Sequence, residues 1–252
     1  MLTIELARVP VEIRCRYPAN ERFFAEYLSD REPLFVIEPQ DTDLEQTRLD
    51  FEKTAEAEGQ PKPRYSRAFL ENNAIHALLA ERLLDQRVLL MHGSALCMDG
   101  QGYLFTAPSG TGKSTHSRFW RETFGDRVWM INDDKPLLRI EQDGSVRVYG
   151  TPWNGKHHLS RNDSAPLRAI IHLTRSETNS IEPLAKADAF PVLMSQCYSS
   201  HTAARMLRVL ELEKALLQNV DFYTLRCNLD PEAARVAWAG LSRGGPQTTS
   251  IL

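Results

Sequence analysis

The chain has 252 residues and a formal net charge of −3, enough for one large or two unequal domains with a sizeable core, and it gives no electrostatic reason to bind nucleic acid or an anionic membrane surface. Its hydrophobic and charged fractions, 42% and 25%, are those of an ordinary globular protein and exclude a low-complexity chain. No apolar run approaches a membrane span, no charged leader precedes an apolar stretch, so no signal peptide is expected, and the widely spaced Cys15, Cys97, Cys197 and Cys227 read as reduced thiols of a cytoplasmic protein.

In chain order, Leu2–Val9 and Val11–Arg16 alternate apolar and polar residues and read as strands. Asn20–Leu28 reads as helical and Pro33–Glu38 as a strand. Asp41–Phe51 fits either a strand or a helix. Glu56–Arg64, polar with Pro61 and Pro63, reads as a loop or domain boundary. Residues 1–64 are therefore expected to form a small N-terminal α+β subdomain. Arg67–Gln86 is the clearest helix, with Phe69, Ile75, Leu78, Leu79 and Leu83 near one face.

Val88–Met98 reads as one strand, joined by Asp99-Gly100-Gln101-Gly102 to a second, Tyr103–Thr106; Asp-Gly between apolar runs is a strong hairpin signal. In the register expected from that turn, Met98 faces Gly102 or Tyr103, which sets His92 alongside Pro108–Gly110. A lone His in an apolar strand is often a satisfied core residue, but this one sits beside the most informative run of the chain. A neutral imidazole there can hydrogen-bond an Asp or a phosphate oxygen, and protonation would add positive charge.

That run is Ala107-Pro-Ser-Gly-Thr-Gly-Lys-Ser-Thr115. It matches a phosphate-binding loop except that Ala107 stands where the first Gly is usual. The chemistry needs a tight turn whose backbone N–H groups converge on phosphate oxygens, here those of Ser109, Gly110, Thr111, Gly112, Lys113, Ser114 and Thr115. Gly110 and Gly112 permit the backbone angles. Lys113 can reach the β- and γ-phosphates, and Ser114 can take a position on Mg²⁺. A helix over Ser114–Thr123 would aim its N-terminus at the same anion.

Val128-Trp-Met-Ile-Asn-Asp-Asp-Lys135 is an apolar strand ending in acid, as a Mg²⁺-bound nucleotide needs beside its phosphate loop. Of Asp133 and Asp134, one can hold the metal and the other accept a hydroxyl proton. Adjacent residues on a strand point to opposite faces, so both serve one site only if the strand ends or bends there. The other reading of Asn-Asp-Asp is a solvated turn. Leu137–Ile140 and Val146–Tyr149 form a second hairpin. In Gly150–Lys156, Trp153 can stack on a base, cover the site or be buried in a structural turn, and Lys156 can meet phosphate. His157 and His158 are adjacent and do not face one site, so zinc is not expected.

Leu167–Leu173 reads as a central strand, with Ser180–Leu184 pairing with it. Ala185–Cys197 and Thr202–Asn219 read as helices, Phe222–Cys227 as a strand, and Asp230 as the cap of a last helix. Residues 244–252 are expected to be disordered. The fold class is α/β with a mixed, partly antiparallel sheet around the loop, residues 65–243 forming the domain that carries the phosphate-binding loop.

His92-Gly-Ser-Ala on a strand, a hairpin, Pro-Ser-Gly-Thr-Gly-Lys-Ser and then Asn-Asp-Asp together resemble the HPr kinase/phosphorylase and PEP carboxykinase superfamily, over about Val88–Glu141. No Asn-x-Arg-Pro-Gly-Arg signature follows. The chain therefore looks more like shorter, stand-alone HPr-kinase-like proteins, with neither HPr as acceptor nor decarboxylation implied. The resemblance implies that Lys113 and Ser114 bind phosphate and Mg²⁺. It implies that Asp133 activates an acceptor hydroxyl, Asp134 assists the metal, and His92 lies near the transferred phosphate. The expected activity is an ATP- and Mg²⁺-dependent phosphotransferase acting on a Ser/Thr hydroxyl of a small protein or peptide, or on a small molecule. A nucleotide-binding regulator or ATPase, and a carboxykinase-like lyase, are the alternatives. The sequence does not choose among ATP, GTP and pyrophosphate, and it leaves the oligomeric state open, a homo-oligomer included.

Overall fold

The computed structural model describes residues 1–243 apart from Glu58, Pro63 and His201; the tail expected to be disordered, 244–252, lies outside the described residues. The chain divides into two compact units, Met1–Val88 and Leu89–Leu252, against an expected boundary near residue 64. The reason is local packing. The helix after Tyr65 lies against the one before it through Leu44, Leu70 and Ala74, with Phe51 and Tyr65 closing the cluster.

In the first unit, β1 (Leu2–Leu6) and β2 (Val9–Ile13) form an antiparallel hairpin that buries Ile4, Leu6, Val9, Val11 and Ile13. Its turn is Ala7-Arg8, both residues at positive φ, so the first strand is shorter than its alternation suggests. β3 (Phe35–Ile37) runs parallel to β2. A short helix α1 (Pro18–Phe23) precedes it. The ambiguous segment is helical, α2 (Asp41–Ala57): Arg48 pairs with Glu45 and Glu52, one helical turn to either side. α3 (Arg67–Leu83) is capped by Ser66, whose Oγ accepts the Phe69 N–H at 3.2 Å.

The second unit is built on a mixed sheet. Its strands are β4 (Val88–Leu90), β5 (Ser94–Met98), β6 (Gln101–Thr106), β7 (Val128–Asn132), β8 (Leu137–Ile140), β9 (Val146–Tyr149), β10 (Ser164–Arg175), β11 (Ser180–Pro183) and β12 (Asp221–Cys227). The order is β4-β8-β9-β10-β6-β5-β7, with β12 beside β10 and β11 beside β12. The first residues of the long β10 pair antiparallel with β9; further along it runs parallel to both β6 and β12, past a register shift at Leu167/Ala169. Ala169, Ile170, Ile171 and Leu173 are buried, as a central strand requires. β11 pairs antiparallel with β12, not with the central strand as expected, because β6 and β12 already occupy both edges of β10 there.

Helices α4 (Lys113–Phe124), α5 (Lys186–Gln196), α6 (Ala203–Asn219) and α7 (Glu232–Arg243) complete the unit. Asp230 Oδ1 accepts the Glu232 N–H at the start of α7. α4 packs on α7. Fully buried Trp120 meets Tyr103, Phe105, Phe124 and Trp238, and this aromatic cluster seats α4 behind the loop that precedes it. Among the described residues no helix is long and apolar enough to cross a membrane.

Two readings of the hairpin change. The segment expected as one strand, Val88–Met98, is β4 and β5 on different sheet neighbours, broken at Met91–Gly93. Asp99 and Gly100, both at positive φ, make the whole turn. Met98 therefore faces Gln101, and the ladder ends with Ser94 opposite Phe105.

Candidate functional site

β6 ends in the buried Thr106 and delivers the chain into the glycine-rich loop, where Ala107 is fully buried. Gly110 (φ 75°) and Gly112 (φ 119°) take backbone angles that side chains disfavour, and Gly112 caps α4. Lys113 folds back over the loop: its Nζ donates to the Ala107 carbonyl at 2.9 Å and the Pro108 carbonyl at 3.4 Å. Burial lowers its pKa; Asp134 and Asp133 oppose that shift and Lys135 adds to it. From the end of β10, Arg175 Nη2 donates to the Gly110 carbonyl at 2.6 Å and holds the crest of the loop.

Next in the site is the acidic pair. Asn132, fully buried at the end of β7, organises the turn. Its Nδ2 donates to the Thr151 carbonyl and Oγ1, both at 3.0 Å. Its Oδ1 accepts the N–H groups of Asp134 (2.8 Å) and Lys135 (2.7 Å). That side-chain turn bends the backbone directly after the strand, so two adjacent carboxylates line one cavity. Asp133 is 8% exposed, and its Oδ1 accepts the Ser94 hydroxyl at 2.6 Å. Ser94 Oγ is 2.5 Å from Ser117 Oγ, which lies 3.1 Å from the Lys113 carbonyl it can donate to. One buried chain of hydroxyls thus links β5, the first turn of α4 and Asp133. Burial raises the Asp134 pKa, which Lys135 and Lys113 oppose and Asp133 reinforces.

His92 stands in the break between β4 and β5. Backbone bonds hold the break open: Met91 N to the Pro136 carbonyl (3.1 Å), His92 N to Gln196 (2.7 Å) and Gly93 N to Asp134 (3.0 Å). Gly93 is needed for close approach, since a Cβ there would lie 2.9 Å from the Phe105 carbonyl oxygen and 2.8 Å from a Leu104 methyl. His92 Nε2 is 3.6 Å from Asp134 Oδ1. Burial, then Lys135 and Lys113, push its pKa down to about 4 against a hydrogen bond with Gln196. The ring is therefore neutral at neutral pH, the form that can hydrogen-bond an Asp or a phosphate oxygen without adding charge.

The site residues read from the sequence therefore converge. His92, Ser109, Gly110, Gly112, Lys113, Ser114, Thr115, Asp133 and Asp134 line one cavity of about 540 Å³, joined by Gly155, Lys156 and His157. Thr111 does not line it. Neither does Trp153, whose carbonyl accepts the Lys135 N–H at 3.2 Å and braces the acidic turn. His157 and His158 are exposed in the short turn after Asn154. Among the described residues no group of three or more His, Cys, Asp or Glu forms a protein-only metal cage.

The family described as "SynChlorMet cassette protein ScmC" matches residues 67–232, more than half of the chain. The chain belongs to the ScmC family. No curated protein matches the sequence. Among solved structures, the Hpr(Ser) kinase/phosphatase from Coxiella burnetii is similar at 10% identity and a TM-score of 0.35, covering 61% of this chain and 97% of that one.

In this ScmC-family chain, sequence reasoning missed several residues of the cavity and its support. Ser94 lies within the quoted His-Gly-Ser-Ala run, but nothing in its spacing announces a bond to Asp133. Ser117 sits one helical turn beyond Lys113, where a hydroxyl on α4 can face the neighbouring strand. Thr151 secures Asn132 from the opposite side of the turn, and its hydroxyl donates to the Lys135 carbonyl at 2.8 Å. Lys135, next to the acidic pair, is 3.8 Å from Asp134 Oδ1 and is the cation that most depresses His92.

Proposed function

We propose that this protein is an ATP- and Mg²⁺-dependent phosphotransferase that delivers a phosphoryl group to a hydroxyl, on a Ser or Thr of a small protein or peptide or on a small molecule. One observation carries the proposal: a glycine-rich loop opening a helix, a lysine and two adjacent carboxylates meet in a single cavity, and a buried hydroxyl fixes one of the carboxylates.

Each residue has a task in this reading. Backbone N–H groups of the loop and the first turn of α4 hold phosphate oxygens. Lys113 exchanges its bonds to the Ala107 and Pro108 carbonyls for the phosphates. Asp133, oriented by Ser94 through one oxygen, keeps lone pairs for the proton of the attacking hydroxyl. The donors of Asp134 and Ser114 are oxygens, the kind a hard divalent cation takes. Burial already disfavours charge on Asp134, a cost that a cation beside it relieves. Ser114 and Asp134, both lining the cavity, would hold Mg²⁺, which would supply positive charge to offset the negative charge that develops during transfer. Neutral His92 can donate or accept a hydrogen bond beside Asp134 without adding charge.

The test is calorimetry with MgATP. A unit-charge contact at ~4 Å and an effective dielectric of ~20 is worth about 4 kcal/mol. The two carbonyl bonds that Lys113 gives up offset about 1 kcal/mol each. Lys113→Ala should therefore weaken MgATP by about 2 kcal/mol, or about 30-fold, with the fold intact. Unchanged affinity would remove the phosphate site. With γ-labelled MgATP and a panel of Ser/Thr peptides and small alcohols, label should enter an acceptor; release of inorganic phosphate alone would favour a non-transferring ATPase.

A further inference from the structure

A second cavity, of about 670 Å³, lies on the other side of the glycine-rich loop. The two cavities share Gly110, Gly112 and Thr115, so a single ligand crossing the loop can occupy both. Their chemistry differs. The first holds both carboxylates; none of the residues lining the second is Asp or Glu. A hydroxyl acceptor placed in the second cavity would meet no carboxylate to take its proton.

The second cavity is lined by Phe119 from α4, by Cys227 and Leu229 at and beyond the end of β12, and by Arg175, which also donates to the Gly110 carbonyl of the loop. Leu229 is 78% exposed, an apolar side chain left at the rim. His116, also in the lining, is 2% exposed. Its Nε2 accepts the Trp120 indole N–H at 2.9 Å. Because an indole nitrogen only donates, the proton of the neutral imidazole sits on Nδ1. That Nδ1–H is buried and has no hydrogen-bond partner among the described residues. A cavity lined by Phe119, Cys227 and Leu229, with the Arg175 cation and the polar side chains of Ser176 and Asn228 beside them, suits an aromatic base on a sugar.

We infer that this cavity takes the nucleoside of a nucleoside di- or triphosphate whose phosphates lie over the loop, so that the phosphoryl donor is a nucleotide and not pyrophosphate. The inference rests on the phosphate-site reading above, and its test separates the two.

MgADP, MgGDP and magnesium pyrophosphate are titrated by calorimetry into the wild type and Leu229→Ser. The better nucleotide should bind at least about tenfold tighter than pyrophosphate. Leu229→Ser should weaken it about fivefold and leave pyrophosphate unchanged. The same nucleotide, and not pyrophosphate, should slow alkylation of Cys227 in the wild type, read by peptide mass spectrometry. Equal affinity for nucleotides and pyrophosphate would overturn the inference and leave the phosphate site standing. Tight nucleotide binding that neither Leu229→Ser nor Cys227 registers would put the nucleoside elsewhere and also overturn it. So would protection of Cys227 by a Ser/Thr peptide in place of a nucleotide. If none of the three ligands binds, the phosphate-site reading falls, and this inference with it.

Discussion

Replacing Ser94 by Ala tests the hydroxyl chain on which the orientation of Asp133 depends. Ser94 is 1% exposed and Asp133 8%, so water cannot easily take over the lost bond. The Ser94 hydroxyl donates to Asp133 at 2.6 Å and lies 2.5 Å from the Ser117 hydroxyl. A hydrogen bond to a charged group contributes about 1.5–3 kcal/mol, and the partner left behind is buried. For a chain of this size a loss of about 2–3 kcal/mol lowers Tm by roughly 4–10 °C. Thermal melts followed by tryptophan fluorescence measure this directly, with Trp120 fully buried as a reporter. The same variant should lose about tenfold or more in MgATP turnover, because a carboxylate that swings freely spends less time in line with the attacking hydroxyl. Its KM for MgATP should stay near wild type, since Ser94 does not line the cavity. A Tm within about 1 °C of wild type together with unchanged turnover would refute the reasoning; Ser94→Thr, which keeps the hydroxyl, should recover part of the turnover.

The two carboxylates should separate: Asp133→Asn should lower turnover by orders of magnitude and spare MgATP binding, whereas Asp134→Asn should raise the Mg²⁺ concentration needed for half-maximal binding. Calorimetry at varied Mg²⁺ tells them apart, and two near-wild-type variants would make the pair a structural turn. His92 has a pKa of about 4 in the folded protein, below its ordinary 6.5. The unfolded chain therefore takes up the proton first, so the stability due to neutral His92 is complete above pH 6.5 and lost as pH falls toward about 4. His92→Gln should lose less Tm than wild type across that interval, and equal losses would contradict a buried neutral ring. Gly93→Ala should destabilise by about 2 kcal/mol or more, because the added carbon meets the Phe105 carbonyl within β6; a melt unchanged from wild type would show that the break can widen.

Much of the site was legible because its chemistry is local. Pro108–Ser114 carries its own turn glycines and its own lysine, and Asp99-Gly100 supplies the positive φ values of a two-residue hairpin. What stayed hidden depends on partners distant in sequence. The apolar run through Leu89, Leu90 and Met91 looks continuous with Ala95–Cys97, and only backbone bonds to Pro136, Gln196 and Asp134 split it. The turn that brings Asp133 and Asp134 together depends on Asn132 and its contacts with Thr151. The partner of β11 was misread because the Ser176–Asn179 link looks like a hairpin, while β6 and β12 already flank β10. α2 was ambiguous because its apolar residues are few and its helical state is reinforced by the pairs around Arg48.

The central claim is that the glycine-rich loop seats a nucleotide's phosphates with the terminal one facing the acidic pair. A crystal structure with Mg²⁺ and a non-hydrolysable ATP analogue tests it most directly. The account predicts phosphate oxygens on the backbone N–H groups from Gly110 to Thr115, Lys113 Nζ moved from the Ala107 and Pro108 carbonyls onto the phosphates, and the terminal phosphate between Lys113 and Asp133. An analogue bound elsewhere, or Lys113 still bonded to Ala107 at saturating nucleotide, would contradict it.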